Sequence, residues 1–226
     1  MESAVRFKAQ EGGSAGVGET APPCYKYRHR RNARRLKIGI LGGTFNPVHI
    51  GHLILAQDAL ERFGLDRVLF IPCSRPPHKT PEALAPARHR VAMLKAALAG
   101  SPRFELATIE TDRGGISYSI DTLVRLRARR PKDRFWFIIG TDMLAELHSW
   151  KRIDELQRLC RFAVAERPGS PVRRGKHEVA RFRGHAVEIS STEIRRRVRE
   201  GRSIRHFVPA AVEAYIRRCK LYAKGD

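Results

Sequence analysis

Two histidines stand three residues apart in the stretch LGGTFNPVHIGHL, residues 41–53, as His49-x-Gly51-His52. A largely apolar run, Leu36–Leu41, leads into the stretch, and two glycines, Gly42 and Gly43, follow that run. A strand that ends in Gly-Gly and turns into a helix suits phosphate, because the backbone can approach the ligand closely. The helix start adds free N–H groups and the positive end of the dipole. Backbone N–H groups of Gly42, Gly43, Thr44 and Phe45 would cradle a phosphate chain. His49 and His52 fall at or just inside the first helical turn, so both can face one pocket.

Other chemistry-bearing residues follow other apolar runs. Pro76-Pro77-His78-Lys79 comes after the second, and Ser117-Tyr118-Ser119 after the third. Gly140-Thr141-Asp142-Met143, and then Trp150, come after the fourth. The last group is Ile189-Ser190-Ser191-Thr192-Glu193-Ile194-Arg195. Ser190, Ser191 and Thr192 open a helix, where hydroxyls and N–H groups suit phosphate oxygens. Arg195 lies one turn further on and can reach the same oxygens.

The elements that must position these groups alternate. Strands are expected at Leu36–Leu41, Arg67–Ile71, Phe104–Glu110, Phe135–Ile139, Arg161–Ala165 and near Ala186–Ile189. Helices are expected at Gly51–Phe63, Ala87–Leu98, Ser119–Arg129, 141–147, 152–158, Thr192–Glu200 and Pro209–Arg218. Pro72–Pro86 and Arg167–Lys176 read as loops. Alternating βα units imply an α/β fold with a parallel sheet and helices on both faces. Ligands bind such sheets at the carboxyl ends of the strands, which is where the distinctive residues fall.

Composition narrows the function classes. The 226 residues are 42% hydrophobic, enough for one large domain. No apolar run is long enough to span a membrane. Cys24, Cys73, Cys160 and Cys219 form no CxxC pair and read as reduced thiols of a cytoplasmic protein. Lys and Arg number 44 against 23 acidic residues, a net charge of +21. That charge favours anionic ligands, but no aromatic-interleaved motif accompanies it, so no specific nucleic-acid partner is expected. Residues 1–35 carry a Gly/Ser/Pro-containing middle and a basic cluster, Arg28–Arg35, without helical or strand period. They read as a disordered basic extension, with the domain running over 36–226. No apolar core of a secretory signal is present there.

The pair GGTFNPVHIGH and ISSTEIR resembles the nucleotidyltransferase superfamily, whose members carry an HxGH signature early and an ISSTxIR-like signature late. The intervening PPHK, SYSIDTL and FIIGTDML…W resemble one branch, the bacterial nicotinate-nucleotide adenylyltransferases. The resemblance covers about residues 36–222. It implies a Rossmann-like doubly wound parallel sheet with a small C-terminal helical part. It implies transfer of AMP from ATP to nicotinate mononucleotide, giving nicotinate adenine dinucleotide and pyrophosphate in NAD biosynthesis. One position departs from the commonest form of the motif: Asn46 stands where many members carry Asp.

By this resemblance ATP meets Gly42, Gly43, Thr44, Phe45, His49, His52, Gly140, Asp142, Ile189, Ser190, Ser191, Thr192 and Arg195. His49, His52, Lys79 and Arg195 would act on the transferred group, with His52 at the α-phosphate. Nicotinate mononucleotide would meet Lys79, Tyr118, Ser119, Asp142 and Trp150. Mg²⁺ is expected on the ATP oxygens, with no protein metal site. The attacking phosphate is already anionic, so catalysis is by positioning and electrostatics, without a covalent nucleophile. Blander roles stay open for three residues: Asp142 as a helix cap, Trp150 as core, Lys79 as a solvated loop lysine. The acceptor also stays open among nicotinate mononucleotide, nicotinamide mononucleotide and phosphopantetheine. A non-catalytic nucleotide- or nucleic-acid-binding protein is the remaining class. Nothing in the sequence fixes the oligomeric state, so a homo-oligomer stays open.

Overall fold

The computed structural model describes residues 34–76, 84–166, 178–185 and 187–223. The expectations for most of residues 1–35, for His78 and Lys79, and for the loop 167–176 therefore lie outside the described residues.

Six strands form one sheet: β1 (Lys37–Gly43), β2 (Arg67–Pro72), β3 (Phe104–Leu106), β4 (Arg134–Gly140), β5 (Arg161–Glu166) and β6 (Val179–Arg183). Every pairing is parallel and the order is β3-β2-β1-β4-β5-β6. The strand order reverses between β1 and β4, and sheets of this kind bind ligands outside the carboxyl ends of strands at such a point. The expected α/β fold with a doubly wound parallel sheet is thus present.

Period-2 alternation along each strand feeds two cores. Ile38, Ile40, Leu69, Ile71 and Phe137 face one side, against α4 (Ser119–Arg129) and α6 (Ile153–Leu159). Leu41, Val68, Phe70 and Ile138 face the other, against α1 (Ile50–Arg62), α2 (Ala87–Leu98), α7 (Ser191–Arg199) and α8 (Ala210–Arg218). Gly39 permits this packing, since a Cβ there would lie 2.9 Å from Leu65 Cδ1. Val212 and Ile216 turn α8 inward as its pattern requires, and His89 Nδ1 of α2 lies 3.0 Å from the Tyr215 hydroxyl of α8.

Two expected strands change. Phe104–Glu110 is strand only to Leu106, and Ile109–Arg113 is a short helix, α3. Local side-chain bonds turn the chain there: Thr111 Oγ1 donates to the Thr108 carbonyl (3.0 Å) and Thr108 Oγ1 to Asp112 (2.8 Å). The strand expected near Ala186–Ile189 lies earlier, at Val179–Arg183. After Gly184 the chain leaves the sheet, because Asp58 of α1 accepts from the His185 N–H at 2.7 Å and holds its ring as well. The helix expected over 141–147 is α5 (Thr141–Ala145) followed by a 3₁₀ turn, Leu147–Ser149.

Candidate active site

The phosphate loop leaves β1 at Gly43 and enters α1 at Ile50. Neither glycine is left-handed; Phe45 is the residue with positive φ (48°). Gly43 is required for space instead, as a Cβ would sit 3.3 Å from the Phe45 ring. Phe45 is buried, and its ring meets Phe70 at 5.9 Å and the His52 imidazole edge-on at 5.0 Å. Its side chain braces the histidine, leaving only its backbone for a ligand.

His49 is the N-cap residue of α1 and is 7% exposed. His52 is three residues on, and its Nδ1 accepts the His49 backbone N–H at 3.1 Å. In the neutral ring this fixes the proton on Nε2, so His52 presents a donor away from the helix. The two rings lie 3.7 Å apart, tilted by 35°. Gly51 makes the pair possible: a Cβ there would lie 3.1 Å from His49 Nδ1. That nitrogen is buried and has no hydrogen-bond partner among the described residues. Burial lowers the His49 pKa to about 4. Burial, and then the neighbouring His49, hold His52 well below its usual value. Both rings are therefore neutral near pH 7 until a polyanion arrives.

The late motif comes to the same place. Ser190 is the N-cap of α7, accepting from Glu193 N–H at 3.1 Å. Ser191 Oγ donates to the Pro47 carbonyl at 2.9 Å. Arg195 donates to the Asn46 carbonyl at 2.9 Å and to Thr192 Oγ1 at 3.3 Å. The Ile189 carbonyl lies beside Gly51. Ser191 thus spends its hydroxyl proton on the loop, and Ser190 caps only the Glu193 N–H among those opening α7.

Gly140 caps α5 at the end of β4, and Asp142 lies in its first turn, exposed. The N-cap position of α5 is Gly140, not Asp142. Thr141 Oγ1 is buried beside it without a partner among the described residues. Tyr118 is the N-cap of α4, and Lys151 Nζ sits 4.2 Å from its ring centroid. Trp150 is half-buried, edge-on to Phe137 at 5.5 Å. It is therefore partly core, with the rest of the ring available.

Sequence reasoning missed the residues that hold these groups in place. Asn46 Oδ1 accepts from Ala85 N–H (3.2 Å) and from the Tyr222 hydroxyl (2.8 Å). Glu110 is buried and accepts from Thr122 Oγ1 at 2.6 Å. Arg90 is 1% exposed. One signal for Arg90 was readable, since it shares a helix face with Met93, Leu94 and Ala97.

Comparisons with known proteins bear on the family and the fold. The cytidylyltransferase-like family matches residues 40–197. A Thermus thermophilus protein named "probable nicotinate-nucleotide adenylyltransferase" is 44% identical over 83% of this chain and 100% of its own. A Lactiplantibacillus plantarum protein of the same name is 42% identical over 84% of this chain and 90% of its own. Among solved structures, Plasmodium falciparum nicotinic acid mononucleotide adenylyltransferase complexed with NaAD aligns with a TM-score of 0.68 at 19% identity, over 83% of this chain and 98% of that one. With both signature motifs in contact at the sheet's switch point, the chain belongs to the nicotinate-nucleotide adenylyltransferase family.

Proposed function

We propose that this protein transfers AMP from ATP to the 5′-phosphate of nicotinate mononucleotide. An oxygen of that phosphate attacks the α-phosphorus, the α–β bridging P–O bond breaks, and pyrophosphate leaves. Nicotinate adenine dinucleotide is the other product. The observation that carries the reading is the junction of the two motifs, Ser191 to Pro47 and Arg195 to Asn46, each 2.9 Å. It sets the start of α7 against the loop that holds His49 and His52.

Charge builds on the bridging oxygen as the bond breaks. His52 Nε2–H is the donor best oriented to meet it at the α-phosphate. Backbone N–H groups of Gly42, Gly43, Thr44 and Phe45 line the triphosphate's path, and those opening α7 take the β- and γ-phosphates with Arg195. Lys79 is assigned the second cation from its place in the sequence. The N–H groups and the guanidinium suit phosphate oxygens, and the imidazoles can donate to them. Mg²⁺ prefers hard oxygen ligands, so it is assigned to the ATP phosphates, where it would offset the polyphosphate charge.

The acceptor would lie at the carboxyl ends of β4 and β2, over α4. Asp142 suits ribose hydroxyls, and the free part of Trp150 suits a pyridine ring. The N–H groups that open α4 at Tyr118 and Ser119 favour a carboxylate over an amide, which selects nicotinate over nicotinamide. No described helix is long and apolar enough to cross a membrane. A cytoplasmic setting is proposed for the reaction. The test is pyrophosphate release from ATP with nicotinate mononucleotide, nicotinamide mononucleotide and phosphopantetheine in parallel. The nicotinate substrate should give the highest kcat/KM. Equal efficiency with the amide would refute the role given to the α4 start.

A further inference from the structure

We infer that Arg90 is a positioning residue that sets the spacing between the two substrate half-sites. The inference rests on the half-sites assigned above. Arg90 lies on the buried face of α2, where an apolar side chain would be expected. Its guanidinium donates to four backbone carbonyls. Nε reaches Ala85 (2.9 Å), one terminal nitrogen reaches Thr44 (3.0 Å) and Cys73 (2.6 Å), and the other reaches Ser74 (3.0 Å). None of these partners is a carboxylate. A buried charge is costly to desolvate, so carbonyl dipoles must compensate it from several directions at once. The planar fork of arginine can do that, and the point charge of lysine cannot.

The identity of the carbonyls carries the argument. Thr44 belongs to the phosphate loop. Cys73 and Ser74 follow β2, and Cys73 N–H is itself bonded to the Gly43 carbonyl at 2.9 Å. Ser74 then passes the constraint on: its N–H donates to Ser117 Oγ at 2.9 Å, and Ser117 N–H donates to the Arg75 carbonyl at 2.9 Å. The nearby Ser117 hydroxyl also helps to hold down the carboxyl pKa of Glu110, which burial raises. Ser117 immediately precedes Tyr118 and Ser119, the start of α4. A continuous bonded path therefore runs from the ATP loop through Arg90, Ser74 and Ser117 to the acceptor loop. In-line attack needs the reacting atoms about 3–3.5 Å apart, and a shift of about 1 Å costs on the order of 100-fold in rate. A brace between the two loops acts on that distance and leaves each loop's own contacts intact.

The experiment is Arg90→Lys in the full chain, which keeps the charge but cannot span the four carbonyls. Three quantities are read: kcat by pyrophosphate release, and the separate Kd values for ATP alone and nicotinate mononucleotide alone. We expect kcat to fall at least about tenfold while each Kd stays within about threefold of wild type. A kcat within about twofold of wild type overturns the inference. So does a loss of kcat matched by equal weakening of both Kd values and a lowered Tm, which is the pattern of a purely structural residue. Should Arg90→Lys fail to fold, Ser117→Ala cuts the same path at its other end. The same split between kcat and Kd is then expected, and an unchanged kcat overturns the inference. Failure of the assigned reaction itself is distinguishable, because wild-type protein would then release no pyrophosphate with this acceptor.

Discussion

The proposed ATP and acceptor half-sites sit on one sheet edge but are built differently. The ATP half is bolted together by residues remote in sequence. Asn46 and Pro47 are tied to α7 by Arg195 and Ser191, to residue 85 and to Tyr222 near the carboxyl end. Its glycines serve tight packing against Phe45 and His49. The acceptor half is more open, and Ser117 anchors it at one end to Ser74 and Arg75. Gly114 and Gly115 have φ of 70° and 69° with open space around them, and Ile116 is 45% exposed. Its helix α5 is only five residues long. The difference matches the chemistry. A triphosphate is held for in-line displacement, where misplacement is costly. An acceptor must enter, be sorted by its ring substituent and leave as a larger product, which loops accommodate.

A substitution on the rigid side should cost the most activity. His52→Ala removes the Nε2–H donor that the His49 N–H orients. Loss of one preoriented donor to a developing oxyanion costs about 100- to 1000-fold in kcat. The fold should survive, since the change is confined to the first turn of α1 and alanine is a good helix former there. A variant turning over near the wild-type rate, with an unchanged circular dichroism spectrum, would remove His52 from the mechanism.

How much of this was legible beforehand follows the same division. The two motifs carried the ATP half because their residue types announce themselves: paired histidines, a double glycine, a Ser-Ser-Thr helix start. The α/β order was readable from strands such as Phe135–Ile139, apolar throughout because both faces are covered. What stayed hidden depends on tertiary partners. Arg90 is one arginine among many, and only the three-dimensional placement of four carbonyls distinguishes it. Asn46 looked like a change in a turn, whereas its side chain meets Tyr222, 176 positions away. The β6 position was misjudged because Asp58, on a helix far back in the chain, redirects residues 184–185. Glu110 reads as the end of a strand until Thr108 and Thr111 bend the backbone.

A second test uses the neutrality of the histidine pair. The folded-state pKa of His49 is about 4, against 6.5 unperturbed. Between those values the unfolded chain binds more protons than the native one, so stability rises with pH across the interval. The His49 contribution is intact above pH 6.5 and is lost as pH falls towards 4. At full extent the shift corresponds to about 3 kcal/mol, an upper bound for one group. His52 adds in the same direction. In His49→Asn, which keeps a helix-capping side chain, the urea midpoint should fall less steeply between pH 6.5 and 4. Parallel wild-type and variant curves would show that His49 titrates normally in the native state. ATP should also blunt the slope in wild type, because a nearby polyanion favours the protonated rings.

The smallest expected effect probes the pliant side. Gly114 has φ 70° and ψ −177°, a region open essentially to glycine alone, although a Cβ would touch nothing. Gly114→Ala therefore meets backbone strain without a steric clash, worth about 1–3 kcal/mol before the loop relaxes. The strain falls two residues past α3's Asp112 and four before Tyr118, inside the segment that delivers the start of α4. Relaxation would move Tyr118 and Ser119, while the phosphate loop is braced independently by Phe45, Ser191 and Arg195. The KM for nicotinate mononucleotide should rise about three- to tenfold, with the KM for ATP unchanged. An equal rise in both constants would mean that strain in the acceptor loop reaches the phosphate loop. The two half-sites would then be a single rigid body, and the contrast drawn between them would fail.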